Sequence, residues 1–158
     1  NHQVNRITPL STRANVACFG TFGYELDLNQ LTEKEREQVR EQIAFMKEYR
    51  QVLQFGDFYR LLSPFDSNFT AWMAVSQDKR TALAGWYKTL NEVNGPYRRI
   101  KLQGLNPEYS YTIDGGDSRF GDELMHVGLL TTDSAAGERK PEEPASGDFD
   151  SHIFVLKA

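Results

Sequence analysis

The stretch from Thr32 to Gly56 constrains the fold most, because it carries both the start signal and the apolar periodicity of one long helix. Thr32 is a favourable N-cap, and Glu35 three residues later completes the pattern of a capping box. One face is charged and the other is apolar, as in a helix that packs on a core; the apolar positions are Val39, Ile43, Met46 and Leu53. We therefore predict an amphipathic helix that begins after Thr32 and stops at Gly56.

An apolar run with interspersed glycines, Val16–Leu26, precedes this helix. It does not alternate between polar and apolar residues, which is typical of a strand covered on both faces. Thr8–Thr12 before it indicates a turn or the start of a short helix. A strand followed by a helix is one βα unit, and such a unit cannot bury both of its faces alone. We therefore expect it to need neighbouring elements from outside this sequence.

From Asp57 onward the helical period is replaced by short segments rich in β-forming residues. Turn signals such as Asn106-Pro107 and Asp114–Asp117 separate them. Short strands at this spacing predict an antiparallel sandwich or an open barrel. The predicted strands are Ala71–Val75, Ala82–Tyr87, Arg99–Leu102, Tyr109–Ile113, Glu123–Val127 and His152–Leu156, and residues 131–148 are predicted to form a polar loop before the last of them.

The charge pattern restricts the classes of partner. The formal net charge is −4 with both signs interspersed, so neither a basic nucleic-acid surface nor a polybasic lipid-binding run is indicated. The apolar stretches are far shorter than the roughly 20 residues that a membrane span needs. We therefore expect no nucleic acid and no membrane among the partners of this protein.

Five segments resemble, in order along the chain, the C-terminal third of bacterial α-galactosidases of glycoside hydrolase family 36, the melibiase type. They are Asn1–Arg6, Phe19–Asp27, Gln54–Leu61, Gly121–Met125 and Gly147–Phe149. The resemblance covers essentially the whole chain in order, and this makes it more specific than any one of its short motifs.

The resemblance implies a fold of the α/β plus all-β class. Residues 1–56 would be the final βα part of a (β/α)8 TIM barrel, and residues 57–158 a C-terminal antiparallel β-sandwich domain. It also implies a retaining hydrolase that removes terminal α-galactose from oligosaccharides such as melibiose and raffinose. The complete enzyme would be cytoplasmic and homo-oligomeric, would bind α-galactoside oligosaccharides, and would need no metal or organic cofactor.

A retaining glycosidase uses two carboxyl groups roughly 5–5.5 Å apart, one as nucleophile and one as acid/base. In the resembled family these groups lie in Lys-Trp-Asp and Ser-Asp-x-x-Asp type motifs, and neither motif occurs in this sequence. The resemblance therefore implies that this chain holds no catalytic residue and is inactive alone. It places His2 just after a barrel strand, as a candidate for the lining of the substrate pocket.

A complete small enzyme is an alternative, and it would use Glu25 and Asp27. Alternate residues on one strand point to the same side, and barrel enzymes carry catalytic groups at the carboxyl ends of strands. In the structural interpretation, Asp27 instead helps the chain turn into the helix, and Glu25 makes a hydrogen bond.

The other chemistry-bearing residues are interpreted as structural. Asp114 and Asp117 flank a Gly-Gly turn, and Asp122 and Glu123 open a predicted strand. The spacing of the three histidines does not indicate a metal site, and His126 and His152 are predicted to be packing or surface residues. The single cysteine, Cys18, lies in an apolar run and is predicted to be a buried, unreactive thiol.

The aromatic residues leave a second alternative open, a non-catalytic carbohydrate-binding β-sandwich module. Aromatic rings bind the faces of pyranose sugars, although aromatic residues in short strands more often pack in a core. Exposure of Trp72 and Trp86 on one flat face would favour sugar binding. Burial of both indoles would favour a role in supporting a neighbouring domain.

Overall fold

A computed structural model of the protein describes residues 8–92, 98–131 and 147–158. A short 3₁₀ turn at Leu28–Gln30 separates the first two helices. In chain order the helices and strands are α1 Leu10–Ala17, α2 Glu33–Phe55, β1 Asp57–Leu62, β2 Phe69–Val75, β3 Thr81–Lys88, β4 Arg99–Ile100, β5 Ser110–Ile113, β6 Ser118–Phe120, α3 Gly121–His126, β7 Leu129–Leu130 and β8 Asp150–Lys157. Most of the predicted polar loop lies outside the described residues.

Six of the described strands form one antiparallel sheet in the order β1-β2-β3-β8-β5-β6. The last of them in sequence, β8, lies in the interior of the sheet. It pairs with β3 from Thr81↔Lys157 to Lys88↔Asp150, and with β5 at Ile113↔Leu156. β4 and β7 form a separate two-stranded ribbon. The antiparallel character predicted from the sequence is confirmed, with two sheets of unequal size.

One face of the large sheet carries the main core. Met73, Ala84, Trp86 and Leu156 from the sheet are each less than 5% exposed. They pack in one cluster with residues of the ribbon, of α3 and of the segment between β4 and β5, which include Ile100, Leu102, Leu105, Leu124 and Leu129. The ribbon therefore forms a second layer on this face of the sheet.

The opposite face of the same sheet is covered by α1 and α2. Leu83 from β3 and Ile153 from β8 form a second cluster there, together with Cys18, Met46, Tyr49 and Leu53. Because alternate residues of a strand point to opposite faces, β3 contributes to both clusters. It is buried along nearly its whole length. The ribbon and the two helices thus cover opposite faces of one shared sheet.

The long helix α2 is confirmed together with its start signal. The Glu35 backbone N–H donates to Thr32 Oγ1 at 3.3 Å, and the Thr32 N–H donates to Glu35 Oε2 at 2.8 Å, so the capping box is complete. Met46 and Leu53 are buried where the helix packs on the sheet. The helix ends at Phe55, and Gly56 follows in extended backbone with φ −75° and ψ 168°.

The strand predicted over Val16–Leu26 is wrong. Helix α1 continues to Ala17, and residues 18–25 are irregular. A parallel strand needs a hydrogen-bonded neighbour, and none of the described strands pairs with this segment. Part of its apolar surface is covered in another way, since Cys18 is buried in the cluster beneath the helices and Phe19 and Phe22 pack against it. The short helix indicated by Thr8–Thr12 is confirmed as the start of α1.

The strand predicted over Glu123–Val127 is also wrong, because these residues belong to α3 and its C-cap. Asp122 and Glu123 lie in the first turn of this helix, where the helix dipole favours negative charge. The Val127 N–H donates to the Glu123 carbonyl at 2.8 Å. Leu124 is the one side chain of this helix that is buried, and it packs in the main core. A short helix can bury one side chain in this way without the alternation of a strand.

Candidate functional site

Asp27 is a structural residue, as the turn interpretation predicted. Its Oδ1 accepts hydrogen bonds from the backbone and side-chain nitrogens of Asn29 at 2.9 and 3.0 Å, and its Oδ2 accepts one from Gln30 Nε2 at 3.2 Å. These bonds, the backbone one first, lower the pKa of Asp27. Glu25 is exposed in an irregular segment. The strand alternation that would have aligned the two carboxylates as a catalytic pair does not exist.

Asp114 does more than form a turn. It adopts a left-handed backbone with φ 49° after β5, and its Oδ1 accepts a hydrogen bond from the Val155 N–H of β8 at 2.8 Å. Its Oδ2 lies 2.8 Å from His152 Nε2, also on β8. Burial acts to raise the pKa of Asp114, but the hydrogen bonds from His152 and Val155 outweigh it and hold the pKa below its ordinary value. The carboxylate therefore ties the β5–β6 turn to β8.

Asp122 and Glu123 also have structural partners. Asp122 Oδ1 accepts from the Glu123 N–H at 2.7 Å, and Glu123 forms an ion pair with Arg119 at 2.8 Å. His126 is exposed in the last turn of α3. His2, the candidate for the substrate pocket, lies outside the described residues. Among residues 8–92, 98–131 and 147–158, no three His, Cys, Asp or Glu side chains are grouped as a metal site requires.

Cys18 is 3% exposed, and burial raises the pKa of its thiol to about 11. The neutral thiol therefore dominates at physiological pH, and the nucleophilic thiolate is rare. This confirms the predicted buried thiol. Within the described part of the chain, no helix is long and apolar enough to cross a membrane.

The two tryptophans lie on opposite faces of the large sheet. Trp72 pairs across from Gly85 and faces the helices, where its ring lies 4.6 Å from Tyr87 and 6.1 Å from Phe19. Trp86 faces the main core, is 4% exposed and stacks on Phe69 at 6.0 Å. The two indoles cannot form one flat platform for a sugar. The structure therefore lacks the pair of tryptophans exposed on one flat face that would have favoured a carbohydrate-binding module.

An open groove of about 900 Å³ lies between the end of α1 and the segment that runs from β1 through the loop into β2. Arg60 and Asp66 are the charged residues in its lining, and most of the other lining side chains are apolar. They include Val16, Phe19, Phe58, Leu62, Phe65 and Trp72. Sequence reasoning missed this groove because residues 16–20 and 58–72 meet only in the folded chain. The local signal was the cluster of apolar residues in and after the edge strand β1.

Comparison with known proteins gives two family matches that follow one another along the chain. The model of the glycosyl hydrolase family 36 C-terminal domain matches residues 69–156. The Melibiase model matches residues 1–56. Together they account for both the helical and the β-rich parts of the sequence.

The chain is 48% identical to the α-galactosidase AgaA of Geobacillus stearothermophilus over 158 residues, which are 100% of this chain and 20% of that protein. The crystal structure of the α-galactosidase from Lactobacillus brevis matches with a TM-score of 0.90 at 43% identity, over 99% of this chain and 21% of that one. The structure of an AgaA variant in complex with raffinose matches with a TM-score of 0.88 at 43% identity, over 99% of this chain and 20% of that one.

The chain thus spans about one fifth of the length of these α-galactosidases. The family 36 C-terminal domain model alone covers more than half of its residues. The chain belongs to glycosyl hydrolase family 36.

Proposed function

We propose that this chain acts as the C-terminal part of a retaining α-galactosidase that releases terminal α-galactosyl residues from oligosaccharides. Its own task is to close and brace the catalytic barrel. The observation that carries the proposal is the shared sheet, because the stretch that matches the Melibiase model packs directly on the stretch that matches the C-terminal domain model.

The contacts between the two stretches suit a fixed brace. Thr12 Oγ1 donates to the Phe149 carbonyl at 2.6 Å, and the Tyr87 hydroxyl donates to the Asn15 carbonyl at 2.7 Å. Asn15 Nδ2 donates to Ser151 Oγ at 3.0 Å. These bonds join α1 to strands β3 and β8 and to the residue that precedes β8. A sheet held this way gives the helices one position relative to the β-domain.

In this proposal the chain holds the catalytic barrel in place and supplies none of the reacting groups. The nucleophile and the acid/base of a retaining glycosidase flank the glycosidic bond as a pair, roughly 5–5.5 Å apart. Asp27 and Asp114, by contrast, are held by hydrogen bonds that serve turns. In the proposal, residues 1–56 are the end of the (β/α)8 barrel and residues 57–158 are the β-domain. His2 lines the substrate pocket, where no residue of this chain is catalytic.

The substrates in this proposal are α-galactosides such as raffinose, with which a variant of the relative AgaA has been crystallised. The complete enzyme acts in the cytoplasm as a homo-oligomer and needs no metal or organic cofactor. These properties come to this chain from the family resemblance, and the bracing role does not depend on them.

A chimera tests the proposal directly. The segment of Geobacillus AgaA that corresponds to this chain is replaced by residues 1–158, and hydrolysis of an aryl α-galactoside and of raffinose is measured. We expect kcat/KM within about tenfold of AgaA. The controls are AgaA truncated before this segment and the 158-residue chain alone, and both are expected to be inactive. Turnover by the chain alone, or a folded chimera without activity, would contradict the proposal.

A further inference from the structure

The groove between α1 and β1–β2 is lined by several large apolar side chains that are exposed together. Phe65 is 94% exposed, Phe58 50%, Val16 47% and Leu62 36%. All four residues line the same groove. Contiguous apolar surface of this kind marks an interaction site, whereas single exposed apolar residues need no explanation.

The groove continues a core that is already formed. Phe19 lies at its inner wall, and its ring meets Phe58 at 6.4 Å and Trp72 at 6.1 Å. The same ring packs against the cluster beneath α1 and α2. An apolar side chain that entered the groove would therefore extend this cluster. The charged residues Arg60 and Asp66 are exposed, which gives the site an apolar centre with polar residues beside it, as protein interfaces have.

The aromatic rings in the groove are poorly placed for a sugar. Phe19 meets Phe58 and Trp72 edge-on, with interplanar angles of 65° and 73°. Binding of a pyranose would be favoured by a platform of flat ring faces open to solvent. Phe19, Phe58 and Trp72 instead pack edge to face, and Phe65 is the one ring of the lining that is almost fully exposed. The lining fits an apolar polypeptide segment better than a carbohydrate.

We infer that this groove is the seat of an apolar segment from the part of the α-galactosidase that precedes these residues in the complete enzyme. The inference rests on the proposed function. One wall, formed by Val16, Phe19 and Gly20, belongs to the stretch that matches the Melibiase model. The other wall comes mainly from residues 58–66, which lie between the two family matches. The groove thus opens where the two matched stretches meet.

The length of the relatives supports this occupant over a second copy of the chain. This chain is matched to 20% of AgaA, so about four fifths of such an enzyme is available to cover the groove within the same polypeptide. A segment of the same polypeptide has a high effective concentration at the groove, and an association between copies lacks this advantage.

Photo-crosslinking in the AgaA chimera identifies the occupant. The photoreactive residue p-benzoylphenylalanine replaces Phe65, and in a control it replaces Phe120, which is 56% exposed at the far edge strand β6. We expect irradiation at position 65 to give an intramolecular cross-link, which mass spectrometry locates in the AgaA-derived part, and position 120 to give none. A dimeric product from position 65, or equal yields at both positions, would overturn the inference.

Two aspartate substitutions give a second readout that does not depend on cross-linking chemistry. Phe65→Asp places a charge in the proposed interface, and Phe120→Asp places one on an exposed surface. We expect Phe65→Asp to lower the midpoint of thermal inactivation of the chimera by several degrees and Phe120→Asp to leave it unchanged. Equal shifts of the two midpoints would contradict the proposed docking site and would leave the proposed bracing function unaffected. A folded parent chimera without activity would contradict both proposals.

Discussion

Asp114 and His152 lie 38 residues apart in sequence, yet the Asp114 Oδ2 and His152 Nε2 atoms are 2.8 Å apart in the fold. An ionised carboxylate can only accept, so Nε2 carries the proton. The other carboxylate oxygen receives the Val155 N–H at 2.8 Å. One side chain in a left-handed turn residue therefore fixes β8 at two points, and this arrangement has a measurable dependence on pH.

Asp114→Asn should lower the free energy of unfolding of the chain by about 1 kcal/mol at pH 7, because Asn has only one acceptor oxygen, so one of the two bonds is lost and the other is no longer charge-assisted. The pKa of Asp114 is lowered in the folded state, so its stabilisation is complete above the ordinary aspartate pKa of about 3.9 and is lost as the pH falls through the lower folded value. Urea unfolding should therefore show the difference between the two proteins shrinking below about pH 4. Asp117→Asn, in the same exposed turn, should cause no such change.

Gly56→Ala should destabilise the protein by roughly 1–3 kcal/mol, the range for forcing an atom into a packed site. A Cβ at this position would lie 2.5 Å from the carbonyl oxygens of both Val52 and Val75, so the end of α2 would have to move away from β2. The matched control is Gly23→Ala, because a Cβ there meets nothing within 4 Å. Thermal unfolding of the two variants side by side checks the prediction, and equal midpoints would contradict it.

Thr32→Ala should cost about 1 kcal/mol, since the Glu35 N–H loses its capping oxygen at the start of α2. Helix α2 covers the sheet, so the loss should appear in the global unfolding transition and not only as fraying of the helix. Circular dichroism during urea unfolding measures both. Glu41→Ala, on the exposed face of the same helix, is the control. An equal loss of unfolding free energy in the two variants would argue against a stabilising cap at Thr32.

Cys18 should resist alkylation in the native protein. Its thiol is 3% exposed with a pKa of about 11, so iodoacetamide at pH 8 meets little thiolate and little accessible sulfur. Mass spectrometry should show one added carbamidomethyl group only after denaturant is added. Rapid labelling of the folded chain would mean that the cluster beneath the helices opens readily.

The parts of the fold that were predictable from the sequence are those that local chemistry determines. Helix α2 follows from the Thr32–Glu35 cap and an apolar stripe of several turns. β3 and β8 follow from their β-forming residues. Val16–Leu26 could not be assigned correctly, because an apolar run without alternation satisfies a buried strand and an irregular segment that covers a sheet equally well. The distinction depends on which strands pair, and that is decided by the whole chain.

The candidate site residues divide in the same way, into contacts between residues near in sequence and contacts between distant ones. The turn role of Asp27 was predictable, since its partners Asn29 and Gln30 are adjacent in sequence. The contact of Asp114 with His152 and the groove beside Phe65 both join residues that are distant in sequence. No spacing rule relates such residues before the order β1-β2-β3-β8-β5-β6 is known.

The position of β8 has a consequence for biosynthesis. Every other strand of the large sheet is translated before β8, yet β8 lies between β3 and β5. On the ribosome, β1-β2-β3 and the β5–β6 hairpin can therefore pair their own strands, but they cannot join into one sheet before β8 emerges. Until the last strand emerges, the inner edges of both halves expose unpaired backbone groups to any other strand nearby. The completion of this domain, and with it the support of the helices above, is thus a late event that waits for the final residues of β8.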